Sequence, residues 1–415
     1  MKTLPEHGRS WADLEPELKA AGEHDVAWRD GRAPAFIHFA GDDVLEVAKK
    51  AYLMYFSENG LGLRAFASLA KFETEVVQMG LGLLGGGEAA RGAMTTGGTE
   101  SIFLAVKAAR DRARQANPKL GTPTLVLAYS AHPAFDKAAH FLDVKTIRTP
   151  LRADFTADPA AMQAAITPDT VMLVGSAPAY PHGVVDPILE IAAIAQARGI
   201  WMHVDACVGG YFAPFARMLG VQMPGFDFGV PGVTSISADL HKYGYAAKGA
   251  STLFFADEAS FKQMAYTFDN WPRGLYGTNT LVGTRAGGAI AAAWAVMNYL
   301  GVDGYLRVTQ RVLDTRRAIE RGVQALGLQT LGRPELSIVA YGSPANGPAH
   351  DIAAIGQGLL KRGWLTGYVT QPPGIHLMLN LTHEPVVERY LADLKAAMAE
   401  ARDAGGTAAP VKAVY

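Results

Sequence analysis

Ser-Ile-Ser-Ala-Asp-Leu-His-Lys-Tyr-Gly-Tyr, residues 235–245, opens as a short run of β-branched and small residues and ends on a histidine followed by a lysine. Such a run reads as a strand that stops just before Lys242, which sets an amine at the end of a sheet strand. An amine there can form a Schiff base with an aldehyde and, once displaced by another amine, remain as a local base. A His-Lys pair alone carries little weight, because such pairs are common on protein surfaces. Three other segments decide what Lys242 means.

The first is Ile200-Trp-Met-His-Val-Asp-Ala-Cys-Val-Gly-Gly210, where residues 200–204 read as a buried strand with Asp205 at its carboxyl end. Ligands bind at that end of a parallel α/β sheet. A carboxylate there either pairs with a protonated ring nitrogen or caps the following turn. The second is Met94-Thr-Thr-Gly-Gly-Thr-Glu-Ser-Ile102, which leads into an amphipathic stretch reaching about Ala113. Glu100 falls in the first helical turn and Arg110, Arg112 and Arg114 towards the last, as the helix dipole favours. Glycines before a helix N-terminus expose N–H groups that cradle phosphate, and Gly98 and Thr99 are the residues placed to do so. The pattern is neither a dinucleotide fingerprint nor a P-loop. The third is Thr124-Leu-Val-Leu-Ala-Tyr-Ser-Ala-His-Pro-Ala-Phe-Asp-Lys-Ala138, a strand followed at once by His132. An imidazole in that place can stack on a flat ring, although a lone histidine after a strand is more often structural. Phosphate turn, stacking His132, pyridinium Asp205 and the Schiff-base Lys242 beside His241 together supply the groups that pyridoxal 5'-phosphate (PLP) needs. No metal site is read.

Five stretches together resemble a known family. They are Thr96-Gly-Gly-Thr-Glu-Ser101, Ala131-His-Pro-Ala-Phe-Asp-Lys137, Val174-Gly-Ser-Ala-Pro-Ala-Tyr-Pro-His-Gly183, His203-Val-Asp-Ala-Cys207 and Ser237-Ala-Asp-Leu-His-Lys-Tyr-Gly-Tyr-Ala-Ala-Lys-Gly249. Their set and order are similar to the sphingosine-1-phosphate lyase family, in the group II PLP decarboxylase branch of fold type I, from about residue 50 to 300. The resemblance implies a homodimer with shared active sites, in which Gly283 and Thr284 help bind the phosphate of the partner subunit's PLP. It also implies that Lys248 helps hold a substrate phosphate. Two departures stand out. The family's Asn-Pro-Leu-His-Pro-Asp-Val-Phe-Pro-Ser appears as Asn59-Gly-Leu-Gly-Leu-Arg-Ala-Phe-Ala-Ser68, with Gly62 at the histidine position, and Ala247 stands where the family has proline. Arg64 can replace the missing charge or select a different substrate, since guanidinium pairs well with phosphate and carboxylate.

Composition sets the bounds. The chain has 415 residues, 49 % of them hydrophobic, and 45 glycines, which suits a large α/β core plus a smaller domain. Its formal net charge is −1, from 38 basic and 39 acidic residues, so nucleic acid is not an expected partner. The single cysteine, Cys207, excludes an internal disulfide and fits a reducing cytoplasm. No early stretch has the pattern of a signal peptide. The most apolar run, Ala286 to Val302, is too short to span a bilayer and reads as a buried interface or core helix. Eukaryotic members of the family carry a membrane anchor, and with no such segment read here a soluble, bacterial-type enzyme without an integral membrane segment is expected.

The expected architecture is α/β: a mostly parallel, doubly wound sheet in a large PLP-binding domain at 51–300. It is preceded by an N-terminal segment at 1–50, which packs on a partner subunit or covers the site, and followed by a smaller α+β domain at 301–415. Strands are expected near 92–96, 124–130, 171–177, 200–205 and 233–238, with Ser251–Phe255 returning antiparallel. Asp186 to Gly199 reads as a helix with Pro187 at its start. In the small domain a helix comes first, then strands near 336–341 and 375–381 and a terminal helix around 384–402, and the tail after Gly405 is expected to be loose.

The chemistry follows from the cofactor. A substrate amine displaces Lys242, and whichever Cα bond stands perpendicular to the ring is the one that breaks. If that bond leads to a carbinol carbon, Cα–Cβ cleaves as a retro-aldol; if to a carboxylate, CO2 leaves. Ser176 and Tyr180 are candidate ring or substrate contacts, with Tyr180 equally readable as a packed aromatic. The leading expectation is an aldehyde-lyase that splits a phosphorylated long-chain 2-amino-3-hydroxy compound into a fatty aldehyde and phosphoethanolamine, with Lys248, Arg64 and Tyr180 as the substrate contacts. An amino-acid decarboxylase and a non-catalytic PLP-fold binding protein are the alternatives.

Overall fold

Seven strands of the computed structural model, which describes residues 1–403, form the sheet that carries the site. They are β1 (Arg91–Thr95), β2 (Thr124–Ala128), β3 (Lys145–Thr149), β4 (Thr170–Ser176), β5 (Trp201–Asp205), β6 (Ser235–Ala238) and β7 (Ser251–Phe255), in the spatial order β1-β7-β6-β5-β4-β2-β3. From β6 to β3 every pair is parallel, whereas β7 runs antiparallel to both β6 and β1. The central strands are buried along their length, which is why β4 reads Thr-Val-Met-Leu-Val-Gly-Ser with no polar alternation. The strand β3 was not anticipated. Its sequence, Lys-Thr-Ile-Arg-Thr, is that of an edge strand, partly exposed and too polar to stand out.

Helices join these strands. The glycine-rich turn opens the helix Gly98–Ala116, and Ile188–Ala197 fills the expected helix after Pro187. The apolar run starting at Ala286 becomes the first part of the helical stretch Gly287–Ala325, which is broken at Gly301, where the backbone is non-helical (φ 54°, ψ −176°), and resumes beyond it as the helix expected to open the small domain. Four more strands then form an antiparallel sheet in the order β10-β11-β13-β12: β10 (Gln329–Thr330), β11 (Ile338–Gly342), β12 (Gly367–Thr370) and β13 (Pro373–Met378). A hairpin of β8 (Tyr266–Phe268) and β9 (Tyr276–Thr278) precedes them, and the helix Val387–Asp403 closes the described chain. The tail after Gly405 lies outside the described residues.

The N-terminal segment divides in two. The helix Trp11–Ala21 buries none of its residues. Residues 32–39 instead run along the second sheet, where the Leu365 and Met378 N–H groups donate to the Arg32 and Pro34 carbonyls at 2.8 and 2.7 Å. The Asn380 amide donates to the Ile37 carbonyl at 2.7 Å, which fixes His38 beside the lysine turn. Among the described residues no helix is long and apolar enough to cross a membrane.

Candidate active site

A cavity of about 350 Å³ opens at the carboxyl ends of β4, β5 and β6. Gly98, Thr99, His132 and Ser176 line it, together with Tyr180, Asp205, His241 and Lys242. Eight residues scattered over 145 positions of sequence are thus brought to one place, as parallel strands ending at one sheet edge require.

Lys242 sits on a tight turn after β6. The Lys242 N–H donates to the Asp239 carbonyl at 3.1 Å and the Ala246 N–H to the Leu240 carbonyl at 3.0 Å. The fold-back needs Gly244, since a Cβ there would lie 2.5 Å from the Leu240 carbonyl oxygen. The turn also presents Asp239, a residue that lay inside the first quoted stretch and received no role. Its carboxylate is 2.9 Å from Lys242 Nζ and accepts from the Ser251 hydroxyl at 2.5 Å. Burial opposes its charge, but Lys242, His241 and that hydroxyl together hold the carboxyl below its ordinary range. The same pair works on Lys242, where burial alone would lower the ammonium and Asp239 instead raises it. The spacing of three residues from the lysine was the only sign of Asp239 in the sequence.

Asp205 stands at the end of β5, with its carboxylate turned to the following turn and the cavity. One oxygen accepts from the Cys207 N–H at 3.1 Å, capping the turn, and the carboxylate also borders the cavity. Its neighbour in register is Ser176, whose own N–H donates to the buried Asp186 carboxylate at 2.8 Å. His132 accepts from the Ala134 N–H at 3.1 Å, and its ring meets Tyr180 edge-on at 6.4 Å. Burial pulls the His132 imidazolium below its ordinary range, so a neutral ring faces the cavity at pH 7.

The glycine cradle is tight. A Cβ on Gly98 would stand 2.7 Å from Cys207 Sγ and 2.8 Å from Asp239 Oδ2. Glu100, in the first turn, accepts from the Thr96 N–H at 2.7 Å and, with its other oxygen, from the Leu281 N–H at 2.8 Å. It therefore ties the cradle to the loop that carries Gly283 and Thr284. These two residues do not line this cavity within one chain; Gly283 borders a separate groove with Arg285 and Glu73. Arg64 is exposed and does not line the cavity either. Lys248 stands exposed at the rim, its Nζ donating to the His241 carbonyl at 3.2 Å and the Phe36 carbonyl at 3.4 Å. His38, unmarked in the sequence, is buried next to these groups with its ring edge-on to Tyr243 at 4.8 Å. Burial, then the charges of Lys248 and Lys242, keep it neutral.

The donor set fits PLP: an amine for the aldehyde, a carboxylate at a strand end for the ring nitrogen, and a helix N-terminus that admits only glycine for the phosphate. Residues 67–338 match the pyridoxal-dependent decarboxylase conserved domain. The chain belongs to that family and is a PLP-dependent lyase. More particularly, it is 39 % identical over 406 residues to a sphingosine-1-phosphate lyase of Arabidopsis thaliana, covering 96 % of this chain and 73 % of that one. The structure of a sphingosine-1-phosphate lyase from Burkholderia pseudomallei superposes with a TM-score of 0.92 at 35 % identity, covering 97 % of this chain and 94 % of the other. A probable L-tyrosine/L-aspartate decarboxylase of Methanothermobacter thermautotrophicus is 33 % identical over 351 residues, covering 84 % of this chain and 93 % of that one.

Proposed function

We propose that the enzyme cleaves the Cα–Cβ bond of a phosphorylated long-chain 2-amino-3-hydroxy compound such as sphingosine 1-phosphate, giving a fatty aldehyde and phosphoethanolamine. The observation that carries this over decarboxylation is Lys248, a second ammonium at the rim beside Lys242, in a chain similar over nearly its whole length to named lyases. PLP, when bound, supplies the electron sink into which the broken bond's electrons pass. Lys242 would hold it by its aldehyde, Asp205 would pair with the ring nitrogen, His132 would stack on the ring, and Gly98 and Thr99 would donate to the phosphate. Asp239 sets the charge on Lys242 Nζ, which moves the proton at Cα once the amine is free.

Lys248 and Arg64 hold the substrate phosphate, and Gly283 and Thr284 contribute to the phosphate of the partner subunit's PLP in a homodimer. The division at residues 50 and 300 and a cytoplasmic location, in keeping with a lone buried thiol at Cys207, belong to the same reading. The test is Lys248→Ala. Losing a charge-assisted hydrogen bond of about 1.5–3 kcal/mol raises KM for sphingosine 1-phosphate roughly ten- to a hundredfold and leaves the PLP absorbance in place. An unchanged KM would refute the assignment.

A further inference from the structure

A second cleft, of about 1,100 Å³, lies between loops of the seven-stranded sheet and the four-stranded sheet. One wall is made of residues 152–156, 184–187 and 221–224, the other of Arg316, Glu320, Gln324 and residues 328–335. Nothing in the proposed reaction uses it.

The wall is built from groups with donors left over. Arg316 is 6 % exposed and Thr330 8 % exposed, and neither Arg316 Nε nor Thr330 Oγ1 has a hydrogen-bond partner among the described residues. The acids on the wall are already committed. Glu320 pairs with the other end of Arg316, and Asp154 accepts from the Thr156 N–H and hydroxyl at 3.1 and 2.6 Å. Glu335 accepts from the Val185 N–H at 3.2 Å, and burial pushes its carboxyl up to about 7. Arg152 is paired with Glu190 at 3.0 Å, while Arg333 is exposed at the mouth with no ion pair among the described residues. The lining carries three arginines and three acids, so what remains for a ligand to meet is two unpartnered donors, Arg316 Nε and Thr330 Oγ1, and the Arg333 guanidinium at the mouth, rather than a net positive charge.

The cleft also stands directly behind the cofactor pocket. Its residues 184–187 flank Asp186, which is 1 % exposed. The Asp186 carboxylate accepts from the Ala157 N–H at 2.8 Å, next to the cleft wall, and from the Ser176 N–H at 2.8 Å, in the wall of the cofactor cavity. One buried side chain therefore bridges Ser176, in the wall of the cofactor cavity, and Ala157, the chain neighbour of Thr156 in the cleft wall.

We propose that this cleft is a binding site for a small organic oxyanion, whose occupancy is transmitted to the cofactor pocket through Asp186. Guanidinium groups favour such ligands because their fork matches the geometry of phosphate and carboxylate. Coupling of this kind needs a ligand that prefers one of two arrangements of the shared element, here the Ala157–Asp186–Ser176 clamp.

Holoenzyme is titrated calorimetrically with inorganic phosphate, and in a parallel arm with succinate, using the parent, Arg333→Glu and Lys248→Ala. Binding of either probe that weakens at least tenfold in Arg333→Glu and persists in Lys248→Ala supports the site. Phosphate identifies the phosphate type and succinate the carboxylate type. Binding lost in Lys248→Ala but kept in Arg333→Glu places the ion in the catalytic pocket and overturns the proposal, as does absence of binding. The second readout is the rate of PLP release. A change of twofold or more with probe in the parent, absent in Arg333→Glu, supports the coupling; an unchanged rate while the probe is bound overturns it.

Discussion

Asp239→Asn removes the charge that faces Lys242 and leaves the shape of the side chain nearly intact. The two groups are 2.9 Å apart, and Asp239 is 3 % exposed. At an effective dielectric constant of ~20, unit charges at that separation attract by about 6 kcal/mol. Desolvation offsets part of this, and removing one partner of a buried pair costs about 3–5 kcal/mol in measured cases. Since one pK unit is 1.36 kcal/mol, the Lys242 ammonium should fall by more than about two units in the variant. Apoenzyme takes up PLP through the free amine, so the uptake rate against pH reports the amine fraction. The rising limb should move to lower pH by about two units in Asp239→Asn. In the parent the raised lysine contributes stability throughout the neutral range, and that contribution disappears only as pH climbs beyond the ordinary lysine range. Superimposable uptake profiles for parent and variant would refute the argument that Asp239 sets the charge on Lys242.

Other perturbations reach other parts of the account. Gly98→Ala places a methyl 2.7 Å from Cys207 Sγ, an overpacking of about 1–3 kcal/mol, and should weaken PLP retention roughly tenfold in equilibrium dialysis. Retention equal to the parent's would show that the cradle has room to spare. Glu335, pushed up from 4.5 to about 7, holds its proton better folded than unfolded, so its contribution to stability is full below about pH 4.5 and lost as pH rises through about 7. Glu335→Gln should remove that fall, at most about 3 kcal/mol, and thermal denaturation from pH 4.5 to 8 compares the two slopes. Identical slopes would contradict it. Glu100→Gln weakens the tie between the glycine turn and the Leu281 N–H, and limited proteolysis of the loop at 279–285 should quicken. Equal cleavage rates would show that the tie does not order that loop.

Much of the site was legible because its residues stand where strands end. Lys242, Asp205, His132 and Ser176 each follow a buried apolar run, and parallel strands bring such positions to one edge. Gly98 was legible for a different reason: a glycine before an amphipathic stretch marks a helix N-terminus. Asp239 and Glu100 lay within the quoted motifs, but their roles depend on partners such as Ser251 and Leu281, far along the chain. His38 could not have been found, since it reaches the site only because residues 32–39 lie along the second sheet. The edge strand β3 escaped for want of an apolar pattern.

The central claim concerns which bond breaks. Purified holoenzyme is mixed with sphingosine 1-phosphate, and the products are separated and weighed by mass spectrometry. The account predicts equimolar fatty aldehyde and phosphoethanolamine, with none formed by Lys242→Ala. Absence of aldehyde from the parent enzyme, with CO2 evolved from an α-amino acid instead, would contradict it and make the enzyme a decarboxylase.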